Sequence, residues 1–415
     1  MSPAAEFAFF AALAAVCAKL VLQLYLLGRQ AKSVARSRGA VPAGFEESVT
    51  PEEHRKSCDY TLAKLRVEAL DNGAEAAVTV ILLSWGLAAL GDLIVPEAGA
   101  LRGTAFVGCV LLLSSAAGLP FALHRQLKLE RRFGFGRMTP GLFLADLAKG
   151  LAVTACIGLP LLGAILWCVG AAGAYWWLWA WALLSGANLL VAVIFPTWIA
   201  PLFNKFEPLG EGGLRSRAEA MLERCGFASD GLFVADGSRR SRHSNAYFAG
   251  LGRSKRVVLF DTLVDSLDED EIAAVLAHEL GHCKLLHIRK RLLWSLGASL
   301  AMFAALGGLF ATGWFFEAFG LEPSAGAGIA IALLAAPAFG LPLAPAFSAL
   351  SRKHEFEADA FAADLEGAPA LESALLKLYR DNAAPLAPDE LYSKFHYSHP
   401  PASQRLARLR SLAAA

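Results

Sequence analysis

The sequence predicts a mostly α-helical, polytopic membrane protein, with about seven transmembrane helices and a small α+β domain on the cytoplasmic side. Three observations carry this expectation. Hydrophobic residues make up 56% of the 415 and the mean hydropathy is +0.46, more apolar than a soluble globule, where about half the residues are apolar. Apolar runs of the ~20 residues that cross a hydrocarbon core as helix begin near Phe7, Ala74, Thr104, Lys149, Tyr175, Leu292 and Ala325. Two polar stretches remain, from Asn204 to Arg291 and from Ser351 onward.

The first run has no lysine or arginine before it and a basic stretch after it, which argues for a retained anchor and against a cleaved signal peptide. Arg29, Lys32, Arg36 and Arg38 follow this run, and Arg125, Lys128, Arg131, Arg132 and Arg137 follow the third. Basic loops stay cytoplasmic. The alternate connections carry Arg102 alone, none in Ala171 to Ala174, and none between Phe315 and Ser324. The N-terminus is therefore expected outside, with both polar stretches inside and folded together as one split domain. Pro337, Pro342 and Pro345 interrupt the last run and make the helix count sensitive by one. The resulting division is 1–203 (five membrane helices), 204–291, 292–350 (two membrane helices) and 351–415.

Within the first polar stretch, Ala218 to Cys225 reads as helix, Leu232 to Ala235 and Arg256 to Phe260 as strands, and Glu269 to Arg291 as one long helix. The seven cysteines are scattered without CxxC spacing and read as small core residues. A net charge of +1 gives no basic excess for a nucleic-acid partner. The bilayer is the expected partner. Nothing in the sequence sets an oligomeric state.

The long helix contains HELGH. Histidines four apart share a helix face, so His278 and His282 can reach one Zn²⁺. Glu279 then sits beside the metal, where a general base takes a proton from water without using a coordination position. This pattern points to peptide-bond hydrolysis. A chance HExxH on a surface helix is the bland alternative, but Val275, Leu276, Leu280, Leu285 and Leu286 make the helix apolar, and buried histidines need a partner. Catalytic zinc takes three protein ligands. His287 is off register on a continuous helix, and Cys283 points about 100° from His282. The stretch SRKHEFEADAFA offers Glu355 and Asp359 on one face, with Glu357 pointing away. Glu355 is the expected third ligand and Asp359 the orienter of a histidine, with adjacent His354 as the alternative ligand. One zinc per chain follows.

At this point the sequence resembles the CAAX prenyl protease 1 family of integral-membrane zinc endopeptidases, with HtpX-type proteases as more distant relatives. The resemblance is carried by RRFGF at Arg131 to Phe135, PLFNKFEPL at Pro201 to Leu209, and SRHSNAYFAGLGRSKRVVLFDTL at Ser241 to Leu263. HELGH, SRKHEFEADAFA and HYSHPP at His396 to Pro401 complete it. It implies His278, His282 and Glu355 as zinc ligands and Glu279 as the catalytic glutamate. It further implies that Asn245 lines the active site, and that Ala246, Tyr247, Phe248, Ala249 and Gly250 form an edge strand pairing with extended substrate. His399 and Arg405 match residues near the scissile carbonyl, where a donor would stabilise an oxyanion. The family resemblance also implies a helix-walled membrane chamber and, as substrate, the C-terminus of an isoprenylated CAAX protein or another membrane-associated peptide. The Ala- and Gly-rich composition points to a bacterial inner membrane. Two rivals are an HtpX-like quality-control protease and, remotely, a zinc-binding transporter using Lys19 and Asp92.

Overall fold

The computed structural model describes residues 1–225, 231–250 and 256–414. Residues 251–255, inside the motif Ser241 to Leu263, lie outside the described residues. Five long helices come first: α1 (Pro3–Ser37), α2 (Pro51–Ile94), α3 (Ala100–Arg132), α4 (Pro140–Ala171) and α5 (Gly173–Leu202). Their starts carry the residues that satisfy free N–H groups. Ser2 accepts from Ala5, Thr50 and Glu53 form a reciprocal capping box, and Thr139 accepts from Leu142.

The chain then builds β1 (Phe206–Pro208), α6 (Gly213–Arg224), β2 (Leu232–Ala235), β3 (Ala246–Ala249), β4 (Arg256–Phe260) and α7 (Glu269–Lys284). Two more spans follow, α8 (His287–Phe310) and α9 (Ala325–Glu366). The last helices are α10 (Ala368–Asp381), α11 (Glu390–His396) and α12 (Ala402–Ala413). Seven helices among the described residues are thus long and apolar enough to cross a membrane.

Two expectations change. Glu269 to Arg291 is not one helix. Leu286 takes φ +59°, a left-handed conformation that a side chain with Cβ adopts only at a cost of about 1–2 kcal/mol, and the chain turns there from α7 into α8. The prolines of the last run do not split it: only a single tight turn at Leu341–Leu343 interrupts α9. The residue range 351 onward therefore begins inside a helix that rises from the membrane and carries Glu355 with it.

The sheet order is β1-β2-β4-β3, with β2 and β4 parallel and the outer pairs antiparallel. β3 is an edge. Leu222, Leu259, Leu263, Ile272, Leu276, Leu280, Leu371 and Leu406 form one core, placing α7 at the centre of the polar domain. A second core in the membrane helices unites Val16, Leu83, Phe106, Val107, Phe316 and Ile331. The large hydrophobics left exposed all fall between Met1 and Leu202 or between Leu286 and Phe347. That distribution follows the membrane helices and is what a lipid solvent requires.

Candidate metal centre

α7 starts on a capping box in which Asp268 and Glu271 satisfy each other's backbone N–H. Glu271 is further tied to Lys377 and Ser373 of α10, each at 2.6 Å. So anchored, α7 presents His278 and His282 toward α9. Gly281 lets the two helices meet, because a Cβ there would lie 3.2 Å from the Ala358 Cα and 3.2 Å from the Phe361 ring. The close approach brings Glu355 onto the two histidines.

His278 Nε2 and His282 Nε2 are 3.2 Å apart. Glu355 Oε2 is 3.4 Å from His278 Nε2, and Glu355 Oε1 is 3.3 Å from His282 Nε2. Bonds of about 2.0–2.1 Å arranged tetrahedrally set ligand atoms about 3.3 Å apart. The two nitrogens at 3.2 Å, with the Glu355 carboxylate 3.3 to 3.4 Å from each, lie close to that spacing. Two imidazole nitrogens facing each other also need something between them, a proton or a metal ion. Burial pulls the His278 pKa down, but Asp359 and Glu355 overcome it and push it up to about 9. The cleft is built for positive charge.

His278 Nδ1 lies 2.9 Å from Asp359 Oδ1, with the ring turned off the line of a full hydrogen bond. Asp359 is fully buried and receives Nε of Arg405 at 2.8 Å, and Nη2 as well. Arg405 is itself buried. Burial works against its charge, and the bonds to Asp359 more than restore it. Two of its nitrogens bond Asp359 and Nη1 stands 3.9 Å from Glu355, so Arg405 buttresses Asp359 beside His278.

His399 is different: its side chain is 62% exposed and its Nδ1 is 2.6 Å from Glu355 Oε2, leaving the other nitrogen facing open space. Glu279 is half-buried beside the ligands. Burial raises its carboxyl pKa above the usual range, while His278 and His282 pull it back. Asn245 is exposed and its Oδ1 accepts from the Ala246 N–H, while its carbonyl accepts from Phe260. Ala246 to Ala249 form the edge strand, but Gly250 follows its end with φ +94°. Among the described residues Cys283 joins no metal-type group, and no disulfide links the cysteines.

His354 turns away from His278 and stacks on His287, with ring centroids 4.1 Å apart and planes at 10°. His287, dismissed on register, reaches His282 at 3.0 Å because the chain breaks at Leu286. Glu357 likewise points away from Glu355 and bonds His287 at 2.9 Å. Sequence reasoning also missed why RRFGF matters. Phe135 accepts from the Arg242 N–H, Arg137 donates to the Arg240 carbonyl, and Tyr60 and His243 converge on Glu130. The loop after α3 thus fixes the approach to β3. The signal was the pairing of two motifs that lie far apart in the chain.

Residues 30–205 match the CAAX prenyl protease N-terminal family of five membrane helices, and residues 208–413 match peptidase family M48. A CAAX prenyl protease 1 homolog of Oryza sativa is 35% identical, with 94% of each chain covered. CAAX prenyl protease 1 of Saccharomyces cerevisiae is 33% identical over 94% of this chain and 93% of its own. The human homolog is 32% identical over 93% and 92%. The crystal structure of S. mikatae Ste24p superposes with a TM-score of 0.90 at 30% identity, covering 97% of this chain and 99% of that one. With the same overall fold and this level of identity along its length, the chain belongs to the CAAX prenyl protease 1 family, integral-membrane metalloproteases of peptidase family M48.

Proposed function

We propose that this chain is a zinc-dependent endopeptidase that hydrolyses peptide bonds near the C-terminus of CAAX-type substrates, isoprenylated or otherwise membrane-associated. The observation that carries the zinc reading is the convergence of His278 Nε2 and His282 Nε2, 3.2 Å apart, on the two carboxylate oxygens of Glu355 at 3.4 and 3.3 Å. The substrate class rests on the relatives' names, CAAX prenyl protease 1. Bound zinc would supply Lewis acidity, polarising a carbonyl and making water acidic enough to attack near neutral pH.

The chain's own residues do the rest. Glu279 takes a proton from the attacking water and returns it to the leaving amine. Its pKa, raised by burial, suits both halves of that transfer. With both ring nitrogens protonated, His399 would donate Nδ1–H to Glu355 and its exposed Nε2–H to the developing oxyanion. β3 offers its free backbone edge to an extended peptide, and Asn245 steadies the entry to that edge. Edge pairing holds the main chain without reading side chains. The basic loops favour an external N-terminus and a cytoplasmic active site. The relatives named above are eukaryotic, which weighs against the bacterial inner membrane expected from composition.

Glu279→Ala should retain zinc and lose about 10²–10⁴-fold in cleavage of a quenched peptide by detergent-purified protein. Parental turnover by that variant, with contaminating protease excluded, would end the mechanism. A farnesylated CAAX peptide compared with its unmodified twin tests the substrate class, and equal turnover removes prenyl recognition.

A further inference from the structure

The two histidines of α7 are not held alike. His278 has a carboxylate, Asp359, behind its outer nitrogen. Behind His282 stands another imidazole, and behind that a carboxylate. His282 Nδ1 is 3.0 Å from His287 Nδ1, and His287 Nε2 is 2.9 Å from Glu357 Oε2.

We infer that His287, backed by Glu357, is the positioning residue that sets the tautomer and ring orientation of His282 as a metal ligand. This rests on the zinc reading above. A histidine that ligates through Nε2 must carry its proton on Nδ1, and that N–H needs an acceptor. Glu357 is a carboxylate and accepts only, so the bond at 2.9 Å places the His287 proton on Nε2. His287 Nδ1 is then left with a free lone pair facing His282. Donation runs in one direction, His282 to His287 to Glu357, and it leaves the His282 Nε2 lone pair directed at Glu355 and His278. A His287 carrying both protons would reverse this, donating into His282 and placing the His282 proton on the metal side.

The backbone and the neighbours hold the arrangement. Leu286 at φ +59° turns the chain so that His287, five residues after His282, comes back against it. His287 is buried, and the His354 ring stacked on it at 4.1 Å restrains its rotation. The grouping of His287, His354 and Glu357 also has the composition of a second metal site. The ring geometry argues against that. An imidazole binds metal along its in-plane lone pair, whereas an ion shared by two parallel rings 4.1 Å apart would lie well out of both planes.

The test uses the full-length, detergent-purified protein, stripped of metal and titrated with zinc against a chromophoric chelator, together with the visible spectrum of the Co²⁺-loaded chain. His287→Phe keeps the stack and removes the acceptor. Glu357→Ala changes a partly exposed side chain, and Glu357→Gln keeps an oxygen that accepts from His287. Zinc affinity should fall about 10- to 100-fold in His287→Phe and about 10-fold in Glu357→Ala, with Glu357→Gln close to the parent. The Co²⁺ bands should shift in His287→Phe. Zinc binding within about twofold of the parent in both His287→Phe and Glu357→Ala, with an unchanged Co²⁺ spectrum, overturns the inference. Should His287→Phe fail to fold, Glu357→Ala against Glu357→Gln decides. Two zinc ions per parental chain and one in Glu357→Ala would also overturn it, in favour of a second metal site. His282→Ala that binds zinc like the parent would instead defeat the zinc-site reading itself.

Discussion

The membrane helices and the metal-centred domain bury opposite things. In the membrane half Leu93, Leu101, Leu112, Trp179 and Trp198 lie exposed, while small residues make the closest contacts. A Cβ on Gly326 would fall 2.7 Å from the Gly103 Cα, so these helices approach as small-residue interfaces allow. In the metal-centred half charge is buried instead: Glu271, Glu355, Asp359 and Arg405 each find an ionic or hydrogen-bonding partner. The lesson is that exposure means nothing until the solvent is named. Buried charge gathers where it fixes ligands. Lys19, the lysine that could have marked a transport route, pairs with Glu75 at 2.8 Å, so it is already matched and supplies no route by itself.

The largest break in this comparison should come from Asp359→Ala. It leaves Arg405 buried without its carboxylate, a change that typically costs about 3–5 kcal/mol, and it frees the His278 ring. The metal-centred half should unfold at lower temperature and lose zinc, while the membrane helices stay inserted. Limited proteolysis reads the two halves separately. Parental zinc content and resistance would show that the buried charges are not what holds this half together.

Next in size is a charge placed on the lipid face. Leu112, 59% exposed on α3, becomes costly as arginine, about 2.5–3.5 kcal/mol near a helix centre. Glu223→Arg, on the exposed face of α6, should change stability by less than about 0.5 kcal/mol. Folded yield from membranes measures both. If Leu112→Arg is as silent as Glu223→Arg, α3 does not face lipid there.

Much of this was readable in the chain. Spans follow from hydropathy because lipid forbids unsatisfied backbone, and HELGH with Glu355 follows from helix periodicity. Periodicity also misled. It assumed a continuous helix through Leu286, and so discarded His287. Backbone sign changes at a single non-glycine residue leave no pattern in the sequence. Arg405 was legible as important but not in its partner, Asp359, because which carboxylate an arginine meets depends on how α12 packs on α9. The edge status of β3 depended on strand order, which a crossover sets and local sequence does not.

The smallest effect on stability gives the finest comparison, because one substitution can be made in both halves. Gly108 of α3 would gain a Cβ only 3.9 Å from the Leu159 side chain, an ordinary contact. Helix propensity then favours Gly108→Ala by about 0.5–1 kcal/mol. Gly281→Ala gains the same propensity on α7, but its Cβ meets the Ala358 Cα at 3.2 Å. Backbone cannot rotate aside as a side chain can, so α9 must shift. Overpacking costs about 1–3 kcal/mol, which leaves a net loss of about 0–2.5 kcal/mol after the propensity gain of about 0.5–1 kcal/mol. The shift also carries Glu355, only three residues from Ala358, away from His278 and His282. Zinc affinity should therefore drop further in Gly281→Ala than its unfolding temperature implies, whereas Gly108→Ala leaves zinc affinity at the parental value. Parental zinc affinity in both variants would mean that the close approach of α7 and α9 serves packing alone, and that the ligand distances are set elsewhere.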